Sequence, residues 1–334
     1  GAITKKGDNT LVITADNSSY SGTWLVAGGN LTLGGRGLLE NNSIANRSEW
    51  GRRYTKDVTG GIWSGDDSYN PNANLGTGDV SLSWSSTQLT VAMDQRTEPL
   101  RIRRVYGPGS FRALTTDRLT LQGSFEHTGV TEFDWGDISF EGNITATREL
   151  DIGSSANEPA NVTLKGSTTV RGNTVMRGDA ANLTVDENRT LTTKNVLATT
   201  TGSVAFTLRD GALLDITENA TLFSGFDTDR GDSIKLGAAS AIGVEAGKTA
   251  TQAAGGHIGG SGDLVKTLGG TPTLTTQNRY AGETRIRGGR LVLNTAATAG
   301  TSTTAVDTGD ATGAGTLVFN RTDDYGFTRS ITGT

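Results

Sequence analysis

The sequence predicts an all-β chain wound as a parallel β-helix, a solenoid of stacked coils, and three observations carry that prediction. Of 334 residues 47 are Gly and only 5 are Pro, so Gly stands at about twice its usual share and Pro well below its own. Thr, Ser and Asn fill much of the rest, and these residues disfavour helix interiors and suit strands and turns. No stretch places apolar residues at i, i+3, i+4 and i+7 over three turns. What recurs is a short apolar–polar–apolar strand, usually with Gly or Asn close behind it.

In chain order these strands fall at 31–33, 119–121, 138–140, 162–164, 183–185, 206–208, 234–236, 291–293 and 317–319, with second strands at 150–152, 169–170 and 214–216. From Ile138 to Ile234 successive starts lie 24, 21, 23 and 28 residues apart. A period near 20 to 25 residues, holding two or three strands and no helix, marks a solenoid. Each coil turns every second side chain inward, and one coil cannot bury that face alone, so coils stack. Gly and Asn serve the sharp corners. Pro is scarce because an interior strand donates its N–H groups to its neighbours. A β-sandwich or jelly roll, the competing class, predicts hairpin turns every 8–12 residues instead.

The totals also exclude functions. A net charge of −5, from 30 basic and 35 acidic residues, leaves no footprint for nucleic acid. No apolar run approaches the ~20 residues of a membrane-spanning helix, so no membrane insertion is expected of this segment. The absence of Cys removes disulfides, thiolate metal sites and Cys nucleophiles, and suits an exported bacterial protein. His127 and His257 are the only His residues, and Gly231-Asp232-Ser233 is not followed by Gly, so a Ser–His–Asp triad is not expected. Asp134, Asp137 and Glu141 around Trp135, and Asp227, Asp229 and Asp232 near Phe226, are either sugar-cleaving carboxylates or solvated turn residues. Asp227-x-Asp229-x-Gly231-Asp232 and Asn70-x-Asn72-x-Asn74 alternate oxygen ligands as calcium requires, without the Gly and Glu of an EF-hand. The expectation is a non-enzymatic chain with no cofactor.

Two stretches carry a more specific pattern. One runs from Ile258-Gly259-Gly260-Ser261-Gly262-Asp263-Leu264 through Lys266, Thr271, Tyr280, Gly282 and Gly288 to Leu291 and Leu293. The other holds Lys5, Thr10, Val12, Asn17, Tyr20, Gly22, Val26, Gly28, Gly29, Leu31 and Leu33. Lys5 pairs with Lys266 at an offset of 261 and Tyr20 with Tyr280 at 260, so the first copy has one extra residue. Pro272 departs from the pattern by occupying a strand position. The pattern resembles the passenger-associated transport repeat of bacterial autotransporter passengers. That resemblance implies a right-handed parallel β-helix displayed outside the outer membrane, and no chemistry.

The first copy opens at Gly1-Ala2-Ile3 without the lead-in of the second, and Ile331-Thr332-Gly333-Thr334 supplies it when the termini are joined. The segment is therefore read as a fragment or mature piece, one period of a tandem array or one subunit that stacks end to end. End coils carry unpaired N–H and C=O groups, and a head-to-tail contact that does not close makes a filament. The expected role is structural and adhesive: an extracellular fibre or biofilm component whose partner is itself.

Three regions follow: coils at 1–37, an irregular insert at 38–115, and coils at 116–334. All five Trp lie in the first 135 residues. Trp50, Arg52, Arg53, Tyr54, Trp63, Tyr69, Arg103, Arg104 and Tyr106 are candidate binding or assembly residues, since aromatic and Arg side chains dominate binding hot spots. They equally suit a small satellite core with solvated Arg. The tripeptides Arg177-Gly178-Asp179 and Arg230-Gly231-Asp232 are of the kind integrins read, which adds a host receptor or a surface glycan as the alternative partner.

Overall fold

The computed structural model describes residues 1–34, 73–93, 98–115, 118–153, 159–200, 202–226, 233–301, 306–310 and 313–333. It is an all-β solenoid of about 12 turns, with parallel strands and, among the described residues, no helix. The chain divides into two compact units.

The first unit comprises Gly1–Arg171 with Arg177–Ala181. Each coil contributes short strands that lie parallel on their equivalents in the next coil. On one face Ala2–Lys5 lies on Thr23–Val26, followed by Val80–Leu82, Leu100–Gly107 and Arg118–His127. On the second, Thr10–Ile13 is followed by Asn30–Gly34, Gln88–Ala92, Ser110–Leu114, Val130–Phe133 and Glu149–Ile152. On the third, the start of Arg118–His127 carries Gly136–Phe140 and then Ala160–Leu164. Pairing is residue for residue, so Leu11, Leu31, Leu89, Phe111, Thr131 and Leu150 form one column. Such columns let each coil bury its apolar positions against the coils on either side, at roughly 25 cal/mol per Å² removed from water.

Residues 80–92 and 100–114, placed by the sequence reading inside an insert, form strands that stack in the coils here. Leu100, Ile102 and Val105 are buried while Arg101, Arg103 and Arg104 are exposed, so the alternation of a strand is present beneath the charge. Of that expected insert, 38–72 and 94–97 lie outside the described residues.

The second unit comprises Gly172–Met176 with Asn182–Thr334. Thr190–Thr193, Leu213–Ile216, Ser240–Val244, Leu264–Thr267, Thr284–Ile286, Val306–Asp307 and Ile331–Thr332 stack in that order. Ala220–Leu222, Thr249–Gln252, Thr271–Leu274, Arg290–Asn294 and Thr316–Asn320 form another stack. Leu183, Phe206, Ile234 and Ile258 make an inward column. Pro272 keeps its strand position, opposite Ala250.

The core of the first unit is aromatic. Phe125 packs edge-on against Phe111 at 4.5 Å and Phe140 at 4.8 Å between ring centres, and Phe133 lies 5.8 Å from Phe140. Beside them His127 is fully buried, its Nε2 2.9 Å from Thr131 Oγ1. Thr131 donates to Thr147 Oγ1 at 3.0 Å, and Thr147 donates to Gly129 O at 2.8 Å. Since both hydroxyl protons are committed, the His127 Nε2 carries a proton and donates it, which makes the ring the neutral Nε2–H tautomer.

Burial pushes His127 down to about 4 from an ordinary 6.5. Between those values the unfolded chain binds more protons than the folded one, so stability falls as pH drops from 6.5 to 4, by up to about 3 kcal/mol. Asp151, pushed up to about 6 by burial against the pull of Arg177, acts in the opposite sense. His127→Gln leaves Asp151 unchanged, so the difference in urea midpoint between wild type and variant isolates His127. That difference is expected to shift against the wild type on acidification; a constant difference from pH 7 to 4 refutes a buried neutral His127.

Candidate functional site

The two repeat copies build the same feature. Lys5 ends Ala2–Lys5 and Lys266 lies in Leu264–Thr267, both turned inward, 7 % and 1 % exposed. A solenoid corner leaves carbonyl oxygens that no strand ladder takes, and an ammonium brings three donors. Lys266 Nζ donates to Thr267 O at 2.7 Å, Leu268 O at 2.6 Å and Gly288 O at 2.7 Å. Lys5 Nζ donates to Lys6 O at 3.1 Å, to Gly28 O at 2.7 Å and to Gly7 O. Each ammonium therefore ties its own corner to the corner of the following coil. Gly28 and Gly288 keep these corners close: a Cβ would sit tight against Gly7 O at 3.0 Å and Leu268 O at 3.1 Å. Burial pushes Lys266 down to about 8, which leaves it charged at neutral pH.

A second bracket repeats too. Asn17 Nδ2 donates to Ala15 O and, in the next coil, Asn74 O, both at 3.0 Å. Asn278 Nδ2 donates to Thr276 O at 3.2 Å and, in the next coil, Thr298 O at 3.0 Å. The Tyr positions differ. Tyr280 is fully buried with Oη 2.7 Å from Thr284 Oγ1, whereas Tyr20 packs edge-on to Trp24, the residue standing where the second copy has Thr284. Gly22 and Gly282 lie against the backbone of Gly1 and Gly262, with no room for a side chain.

Residues 3–33 and 264–293 match the family model of the passenger-associated-transport-repeat. The chain carries two of these repeats. Together with the β-solenoid they are consistent with an autotransporter passenger β-helix, and the repeat family points to a secreted or cell-surface protein. Neither a curated protein nor a solved structure matches the chain.

Away from the repeats, the candidate residues are drawn into contacts between coils. Arg103 reaches Asp79 with two nitrogens, at 2.7 and 3.2 Å, and Arg104 pairs with Glu126 while lying 4.7 Å over the Tyr106 ring. Arg177 pairs with Glu149 at 2.6 Å and Asp151 at 2.9 Å, and Gly178 is packed against Gly153. Arg177-Gly178-Asp179 thus follows a coil corner with its guanidinium tied down. Among the carboxylates, Asp134 is buried against Arg112, Asp137 accepts from Asn161 at 2.6 Å, and Glu141 accepts from Gln122 at 2.7 Å and Lys165 at 2.9 Å. Trp50, Arg52, Arg53, Tyr54, Trp63, Tyr69, Asp227, Asp229, Arg230, Gly231 and Asp232 lie outside the described residues. Among the described residues no group of three or more His, Asp or Glu is placed to hold a metal ion.

Sequence reasoning passed over Thr147 and Thr193. Thr147 Oγ1 donates to Gly129 O at 2.8 Å and lies 3.0 Å from Glu149 O; Thr193 Oγ1 lies 3.0 Å from Gly172 O and 3.1 Å from Asn195 O. Each caps a corner as the lysines do, but toward the preceding coil. The signal was a polar residue at the last inward position before a corner.

Proposed function

We propose that this chain is a structural, non-catalytic passenger segment of the bacterial surface that associates with copies of itself head to tail, and adheres through that association. The equivalence of the two repeats carries the reading. Each receives its following coil in the same register: Trp24 lies on Val80 as Thr284 lies on Val306, and Leu31 on Leu89 as Leu291 on Leu317. The second repeat also receives a preceding coil, Ser240–Val244 on Leu264–Thr267. A contact of that kind made between copies, when repeated, builds a filament. The contacts between coils support a scaffold over a catalyst, because Asp134, Asp137 and Glu141, the described carboxylates suited to cleavage, are engaged by Arg112, Asn161, and Gln122 with Lys165.

Electron microscopy of the purified chain over a concentration series tests this reading. Unbranched rods that lengthen with concentration are expected. A single monomeric species at every concentration overturns it.

A further inference from the structure

A hollow of about 720 Å³ opens in the first unit, bordered by Asn74, Glu98, Arg101, Gln122 and Glu141. That volume lies within the range of small-ligand sites, about 300–1,000 Å³. Gly76 and Gly123, at φ of +91° and +153°, also border it, and a Cβ on either would strike a backbone oxygen, so this stretch of the wall is bare backbone. Much of the polar border is fixed in advance. Arg103 is held on Asp79 by two hydrogen bonds, and Gln122 and Lys165 both hold Glu141. Two charged groups are left over: Arg101 and Glu98 are exposed, and neither has an ion pair or a side-chain hydrogen bond among the described residues.

The chemistry of the hollow narrows the ligand. Leu100 and Arg101 already pair with Leu121 and Gln122 of the next coil, so a peptide has no strand edge to join here. Among the described residues no aromatic ring borders the hollow, which disfavours a flat apolar ligand. What remains is recognition by side-chain hydrogen bonds: a guanidinium fork, a carboxylate and two amides. A guanidinium fork matches a carboxylate with two parallel hydrogen bonds, and a carboxylate accepts from hydroxyl groups. We infer that the hollow binds an acidic oligosaccharide, with a sugar carboxylate on Arg101, sugar hydroxyls on Glu98, and the Gln122 and Asn74 amides completing the site. This inference does not rest on self-association.

Isothermal titration of the whole chain with tetragalacturonate and with uncharged maltotetraose is the test. Tetragalacturonate is expected to bind, with maltotetraose at least about tenfold weaker, and Arg101→Ala is expected to cost about tenfold or more, the worth of a charge-assisted pair. Glu98→Gln is expected to weaken binding by a smaller factor, and Arg290→Ala, exposed in the second unit, to leave it unchanged. Circular dichroism checks that each variant is folded. Failure of tetragalacturonate to bind, equal affinity for both sugars, or unaltered binding in both Arg101→Ala and Glu98→Gln overturns the inference. Rod formation by Arg101→Ala keeps this outcome separate from that of the filament test.

Discussion

Lys266→Met is expected to destabilise the second unit by about 3–4 kcal/mol. Three partly buried carbonyl oxygens lose their donor, each at a cost of up to about 1–3 kcal/mol, and removal of a desolvated ammonium returns part of that sum. The Met chain fills the space of the Lys stem, so the loss is one of hydrogen bonding and not of packing. Lys266→Arg should not rescue, because a planar fork cannot converge on Thr267 O, Leu268 O and Gly288 O as three tetrahedral donors do. Urea unfolding measures the size of the effect. Hydrogen exchange locates it, since a solenoid can open coil by coil. The amides of Gly270 and Arg287, which bond across coils to Val244 O and Lys266 O, should lose protection first. Lys5→Met should follow the same direction with a smaller effect, as Lys5 is the more exposed of the two. Unfolding of Lys266→Met at the wild-type urea concentration, with protection intact, would show that the cradle is not structural.

Arg112→Ala is expected to cost about 3–5 kcal/mol, as removal of one partner leaves the other charge buried. Asp134 is fully buried and paired with Arg112, whose second carboxylate neighbour, Glu132, lies 3.7 Å away. Arg112→Leu combined with Asp134→Leu should recover a large part of the loss, since an apolar pair carries no desolvation penalty. A double-mutant cycle read by urea midpoint gives the coupling, expected at 2 kcal/mol or more, on the scale of about 0.5–3 kcal/mol for residues in contact. Additive single effects would mean that the pair holds nothing together.

Both effects rest on residues that a reading of strand alternation treats as exceptions. Lys5 and Lys266 were legible as members of a repeated pattern, yet their burial was not, because Lys at an inward position contradicts the alternation that marks a strand. Asp134 read either as a sugar-cleaving carboxylate or as a solvated turn residue, and it lies buried against Arg112. The strands at 31–33, 138–140, 162–164 and 206–208 were legible because alternation within three residues is a local property. Leu100–Gly107 was hidden because three Arg side chains mask the same alternation.

By itself the sequence determined the winding of the chain and the two matching elements, since period, turn residues and apolar spacing are written along one dimension. Only the tertiary structure decided which polar groups meet. Partners such as Lys266 and Gly288, Arg103 and Asp79, or Arg177 and Glu149 stand 22, 24 and 28 residues apart, separations that vary with each corner. Contact between coils depends on register, register depends on the length of every turn between them, and no local spacing encodes that sum.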